Sequence, residues 1–474
     1  MTDPAPPPPP PTKAPTKGLS ETKVPVVQVL ASNIKEVWPS LIHSVKYASF
    51  IAIDLELSGL GDRKLLMKKH YTSTSAQRNF QRSVDDRYTA IVEAAKTRSV
   101  LALGVSCWRV TRDEPEPEYY VQTYNILLLS RDNYTVEPDA LQFLVEHGFD
   151  FNKQYKEGVS YTPSTEDMIV FKEKKSPEPI RDLFAAILQA KCPVVTHNGL
   201  IDLAFMYQSF YAPLPPTMSI FVADLQDMFK SGILDTKCVA EFLIRETATY
   251  LEYLFRKSSK RMRDAVSSGK PHINLSFSEH RAINQWVNYV ECFASDVSSG
   301  RDLCETYANH GYCKEGKKCP KSHNVDEAII SHDHKSKKHK TEGKVPPIKS
   351  KHSNGDAVDT GCHRAGVDAF MTGFIVANYA VYLKAHPKKA KGEEEEKTSS
   401  KKSHYQSRDN HMSVTLEENR DIPLPLVLDP CRRAVNCLTL SGKNIPLKVM
   451  KSAFVKPSAA HMRQQHEIIK KSAK

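Results

Sequence analysis

Asp54 and Glu56 stand two residues apart inside an apolar run, Phe50-Ile-Ala-Ile-Asp-Leu-Glu-Leu57. Strand side chains alternate, so both carboxylates leave one face while Ile53, Leu55 and Leu57 fill the other. Like charges side by side in a hydrophobic strand repel each other and are costly to desolvate. The pair persists where cations neutralise it, so the run predicts a strand that carries a metal site.

The rest of the chain limits where partner ligands can lie. Its 474 residues can hold two or three domains. A 40% hydrophobic content supports a substantial core, but 30 prolines and a mean hydropathy of -0.45 imply sizeable disordered parts. The formal charge of +11 and pI near 9.0 favour a polyanionic partner, although basic tails on any globular protein would give the same balance. Ten cysteines do not make a disulfide scaffold in a chain this long. The N-terminus, Met-Thr-Asp-Pro-Ala followed by prolines, lacks the apolar core of a signal peptide. The apolar stretch Phe370 to Leu383 reads as too short and interrupted to span a bilayer. The expectation is a soluble intracellular protein with no membrane partner.

Residues 1–23 read as a disordered proline-rich tail, with order beginning at Val24. An amphipathic stretch covers Ile34 to Ala48. Apolar strand-like runs follow at 50–57, 99–108 and 120–129, then helical segments around 137–147 and 179–190. Pro193-Val-Val-Thr196 reads as a short buried strand, and Leu200 to Phe210 as the helix after it. Residues 327–360 are His-, Lys- and Ser-rich and read as a basic disordered linker. Gly361 to Leu383 returns to an apolar helix, residues 386–420 read as charged and disordered, and 421–474 form a C-terminal segment. Strands opening as a meander and then alternating with helices predict an α/β sheet.

Two further acidic positions complete a set. His197-Asn198-Gly199-Leu-Ile-Asp202 opens a helix directly after a strand, so Asp202 can point back over the strand ends, or simply favour the helix dipole. His363 and Asp368 lie five apart, about 140° around a helix. They reach one site if His363 sits in the loop or first turn. A two-metal phosphoryl-transfer site needs several oxygen ligands and a base for water. Asp54, Glu56, Asp202 and Asp368 would be the ligands and His363 the base, and all-oxygen ligation selects Mg²⁺ or Mn²⁺.

In order, Asp54-x-Glu56, Asp202 and His363-x₄-Asp368 resemble the DEDD pattern with a histidine of RNase-D-like 3′→5′ exonucleases. The segments 50–59, 196–202, Leu234-Asp-Thr-Lys237 and 363–373 resemble the deadenylase branch that includes poly(A)-specific ribonuclease and the Pop-type deadenylases. The resemblance covers roughly 24–260 and 360–385. It implies an RNase-H-like mixed sheet flanked by helices, with two Mg²⁺ or Mn²⁺ ions on the four acids. The implied substrate is a single-stranded RNA 3′ end rich in adenosine. Leu55 departs from the small or polar residue expected between the two acids, but it faces away from them.

Cys304-x₈-Cys313-x₅-Cys319-x₃-His323 has the spacing of a CCCH zinc finger, a closed tetrahedral site for one structural Zn²⁺. Cys107, Cys192, Cys238 and Cys292 show no such spacing and read as core thiols. Tyr307 and Tyr312, interleaved with Lys314, Lys317, Lys318 and Lys321, suit base stacking and phosphate contact. A finger used for protein contact stays open. The finger, taken as 298–326, interrupts the nuclease between residues 290 and 361, as an RNA-binding module interrupts poly(A)-specific ribonuclease. Lys335-Ser-Lys-Lys-His-Lys340 reads as a nuclear-localisation signal. The finger and the segments Leu440-Ser-Gly-Lys443 and Ile445-Pro-Leu447 narrow the resemblance to nuclear CCCH-finger deadenylases. That implies small nuclear RNA precursors as substrates, nuclear RNA-processing proteins as partners, and a nuclear location that includes Cajal bodies and speckles. Two other classes compete: an RNA-binding adaptor on a catalytically weak nuclease fold, and a DNA exonuclease of the same superfamily.

Overall fold

In the computed structural model, residues 22–61, 83–165, 178–293, 300–338, 364–391, 416, 421–440 and 443–472 are described. The β-branched run Val24–Val29 forms β1, and Phe50–Leu57 forms β2. β2 pairs antiparallel with β3 (Val100–Arg112), which pairs antiparallel with β4 (Glu118–Ser130). On its other side β2 runs parallel to β6 (Val194–Thr196), and β6 runs parallel to β7 (Ile233–Asp235).

The remaining strands are β5 (Val159–Tyr161), β8 (Asn274–Phe277), β9 (Val287–Val290), β10 (Cys437–Leu438) and β11 (Leu447–Lys448). The sheet order is β11-β10-β7-β6-β2-β3-β4-β1-β9, with β5 and β8 joined to β4. The expected mixed α/β sheet flanked by helices is present.

Alternation decides which side each β2 residue serves. Ile51, Ile53, Leu55 and Leu57 enter one core with the helices Ile34–Lys46, Val84–Thr97, Pro179–Gln189 and Met218–Met228. Phe50 and Ala52 enter a second core under the helices Leu251–Ser267 and Ala365–Ala385. Both faces of β2 are therefore buried, and the acidic face is the one roofed by Ala365–Ala385.

Local chemistry places the helix ends. Ser83 starts Val84–Thr97 with a capping box: its hydroxyl accepts from the Asp86 N–H, and the Asp86 carboxylate accepts from the Ser83 N–H. The helix Ala365–Ala385 is apolar nearly all round, which requires burial on every side. Its 21 residues are long and apolar enough to cross a membrane, which corrects the reading of this stretch as too short. Here 89% of the apolar window is buried within the protein.

Two other expectations change. The start of the basic linker is ordered, because Val325–Lys338 is a helix that buries Val325, Ala328, Ile329 and His332. Those positions fall on one face at helical spacing. The charged stretch 386–420 begins with a short helix, Pro387–Lys391, and Leu416 is buried; residues 392–415 and 417–420 lie outside the described residues. Residues 1–21 of the proline-rich tail, 339–360 of the linker and 361–363 also lie outside them.

Candidate active site

The site grows from the register of β2. Asp54 sits opposite Gly104, and Glu56 opposite Ala102, on the face beneath the Ala365–Ala385 helix. A Cβ on Gly104 would lie 1.8 Å from the Ala365 carbonyl oxygen and 2.2 Å from its carbon. Only glycine allows the helix start to descend this far onto the sheet. A second close approach occurs farther along, where a Cβ on Gly373 would lie 2.2 Å from Trp108 Nε1.

The descent brings Asp368, in the first turn of the helix, onto the strand pair. Carboxylate oxygens of Asp54, Glu56 and Asp368 lie within 4.8 Å of one another. Asp202 comes from the first turn of Leu200–Met206, after β6. It acts electrostatically on Asp54 and Glu56 but stands outside that tight group. His363 lies outside the described residues.

Burial pushes the Asp54 carboxyl well above its ordinary range, and the charges of Asp368, Asp202 and Glu56 push it further. Glu56 is raised by burial and then by Asp368 and Asp202. Asp202 is pushed to about 7, chiefly by burial; the Asp235 charge adds to this, and backbone N–H groups oppose it. Such acids cannot all ionise together unless cations offset them. The donor set is all carboxylate oxygen, which fits hard divalent cations.

The four finger residues also converge: the ligand atoms of Cys304, Cys313, Cys319 and His323 lie within 4.8 Å of one another. Cys304 precedes the helix Glu305–His310, and the Tyr307 N–H pulls its thiol pKa down. Gly311 ends that helix at φ +68, where a Cβ would lie 2.6 Å from the Tyr250 ring. The buried His323 Nε2 has no hydrogen-bond partner among the described residues. Three thiols and that orphaned nitrogen fit a tetrahedral metal ion.

The helix Val325–Lys338, which follows the Cys/His cluster, ties that segment to the helix Leu251–Ser267. His332 Nδ1 lies 3.1 Å from the Tyr253 hydroxyl and its Nε2 3.2 Å from Asn309 Oδ1, while Lys260 pairs with Asp333 at 2.9 Å.

The two tyrosines have different places. Tyr307 stacks on His323 with ring centroids 4.4 Å apart and planes 3° apart, and it meets Tyr250 edge-on at 6.1 Å. One face of Tyr307 is thus occupied by His323. Tyr312 is 60% exposed, and Lys318 is exposed. The Lys317 side chain, and residues 339–340 of the basic run, lie outside the described residues. No sequence signal marks Gly104 as a site residue, and Asp235 stands in the sequence only within the Leu234-Asp-Thr-Lys237 segment of the resemblance, with no role in the site.

The site is thus a cluster of largely buried carboxylates on a mixed α/β sheet, roofed by a long apolar helix, with a donor set that suits divalent cations. The family model "CAF1 family ribonuclease" matches residues 29–178 and 171–376, and the chain belongs to that family.

Among curated relatives, the poly(A)-specific ribonuclease PARN of Danio rerio is 28% identical over 149 residues, covering 30% of this chain and 21% of the relative. PARN of Arabidopsis thaliana is 29% identical over 156 residues, covering 30% and 20%. The uncharacterized protein C29A10.09c of Schizosaccharomyces pombe is 25% identical over 171 residues, covering 35% and 36%. The match spans about a fifth of the length of the PARN relatives. Among solved structures, S. pombe Pop2p in its Mg²⁺- and Mn²⁺-bound form is similar at a TM-score of 0.36 and 13% identity, covering 50% of this chain and 82% of that one. The RNase domain of yeast Pop2 is similar at a TM-score of 0.34 and 13% identity, covering 52% and 79%.

Proposed function

We propose that the chain is a Mg²⁺- or Mn²⁺-dependent 3′→5′ exoribonuclease that trims adenosine-rich 3′ ends of RNA. The observation that carries this is the convergence of Asp54, Glu56 and Asp368 within 4.8 Å in a chain of the CAF1 ribonuclease family. When bound, two divalent cations supply an activated water and offset charge on the phosphodiester. Asp54, Glu56 and Asp368 hold them, with Asp202 completing the shell. By its position before the Asp368 helix, His363 takes the proton from the attacking water. Water adds to the phosphorus of the terminal phosphodiester and the P–O3′ bond breaks; O3′ stays on the shortened RNA and takes up a proton from solvent as its new 3′-hydroxyl, while a nucleoside 5′-monophosphate is released.

Cys304, Cys313, Cys319 and His323 hold one structural Zn²⁺, supported by their convergence and by the orphaned His323 nitrogen. With Tyr307 taken up in packing, Tyr312 and the lysines 317 and 318 are the finger's RNA contacts. The basic run 335–340 directs the protein to the nucleus. There, extended or oligoadenylated small nuclear RNA precursors are its substrates, and nuclear RNA-processing proteins are its partners.

The test uses purified protein, Mg²⁺ and 5′-labelled RNAs ending in A, U or mixed sequence, beside matched DNA. Stepwise shortening of the A-ended RNA from its 3′ end, lost in Asp54→Ala and Glu56→Ala, is expected. Well-folded, metal-loaded protein that shortens nothing would sink the proposal. Shortening of DNA at an equal rate would move the substrate class to DNA.

A further inference from the structure

Asp235 ends β7 fully buried, yet it stands outside the tight carboxylate group. Its oxygens face backbone donors. Oδ1 accepts from the N–H groups of Asn198 and Lys237, both at 2.9 Å, and Oδ2 accepts from the N–H of Thr439 at 3.0 Å. These donors belong to three separate stretches: the turn between β6 and the Asp202 helix, the first turn after β7, and the residue after β10.

The first stretch needs holding. Asn198 sits at φ 58, a left-handed conformation that costs free energy for a residue with a side chain. Asp202 lies four residues farther on. Next to Asn198, the His197 ring nitrogen Nδ1 lies 2.8 Å from the hydroxyl of Thr236, so the turn is tied both to the last residue of β7 and to the residue after it.

The third stretch is unexpected from the family match, which ends at residue 376. β10 nevertheless extends the sheet beside β7, pairing Cys437 with Leu234. Asn436 reinforces the join: its Oδ1 accepts from the Ile233 N–H at 2.9 Å, and its N–H donates to the Ile233 carbonyl at 2.8 Å.

We propose that Asp235 is a positioning residue that fixes the turn ahead of Asp202. Through Thr439 it makes the C-terminal strand β10 part of the catalytic end of the sheet. The proposal rests on the nuclease reading above. Asp235 acts through Asp202 and has no contact with the reacting phosphate.

Asp235→Asn isolates the link. The amide oxygen stays on the two donors of Asn198 and Lys237, which turns the amide NH₂ against the Thr439 N–H, donor against donor. Thr439→Pro removes the same bond from the other side, because proline has no N–H.

On A-ended RNA, each variant should lower kcat about tenfold with KM within about twofold, because a displaced ligand misplaces the reacting groups. Mn²⁺ binding followed by calorimetry should weaken as well. The double variant should be no worse than the weaker single one, since both changes break one bond.

Asp235→Asn with unchanged kcat and unchanged Mn²⁺ affinity overturns the proposal. So do multiplying effects in the double variant, or a fall in kcat matched by an equal loss of folded protein. If Thr439→Pro does not fold, Asp235→Asn decides alone. If the parent protein shortens no RNA, the nuclease reading fails; if the parent is active and Asp235→Asn equals it, only this inference does.

Discussion

Gly104→Ala tests how the site is assembled without touching an acid. The new methyl carbon would start 1.8 Å from the Ala365 carbonyl oxygen, where ordinary contact begins near 3.4 Å. The difference between those distances means that the helix start must withdraw by about 1.6 Å, since a packed interior offers no slack. Overpacking of this kind costs about 1–3 kcal/mol of stability. Asp368 rides on the first turn of the same helix, so the withdrawal carries it away from Asp54 and Glu56. A displacement of about 1 Å at a reacting centre is worth roughly 100-fold in rate. Melting temperature and kcat on A-ended RNA should both be measured. The expected result is a folded protein with a lower melting temperature and at least about a 100-fold loss of kcat. Parent-like kcat together with a parent-like melting temperature would refute the close approach, and with it this account of how Asp368 reaches the strand.

Tyr312→Ala should weaken RNA binding by about 1–3 kcal/mol, the worth of one stacked base, while zinc content stays at one per chain. Tyr307→Ala should instead lower the finger's melting temperature, because it removes the ring stacked on His323; filter binding with metal analysis separates the two. In cation-free buffer the raised carboxyls of Asp54, Glu56 and Asp202 make the folded state hold protons that the unfolded state has released. Their contribution is fully present below the unfolded carboxylate range and is lost as pH rises through about 7 for Asp202, so chelator-treated protein should melt lower at pH 8 than at pH 5.5. Saturating Mg²⁺ should remove most of that slope; a slope unchanged by Mg²⁺ would count against the site. Truncation after residue 420 should prevent stable folding, since Leu428, Cys431, Ala434, Cys437 and Leu438 are buried in the nuclease cores. A truncated chain that melts like the parent would contradict this.

Much of the architecture was legible because it is written in local periodicity. The period-2 run at 50–57 specifies a strand and puts both acids on one side. It does not reveal that the acidic side is also buried, because the roof arrives from more than 300 residues away. The stripe Val325, Ala328, Ile329 and His332 was readable as a helix face, but the surrounding lysines and histidines masked it. β10 and β11 have two residues each, too few for any period, so their place in the sheet comes only from tertiary packing. Gly104 carries no motif, because its role is a vacancy that another segment fills. The stacking of Tyr307 on His323 is hidden for a related reason: aromatic spacing does not say which neighbour a ring meets.

An anomalous difference map from Mn²⁺-soaked crystals would test whether the three acids form one cation centre. The account predicts Mn²⁺ density enclosed by Asp54, Glu56 and Asp368, and its loss in Glu56→Gln. Density confined to the finger, or none between the three carboxylates at saturating Mn²⁺, would contradict it.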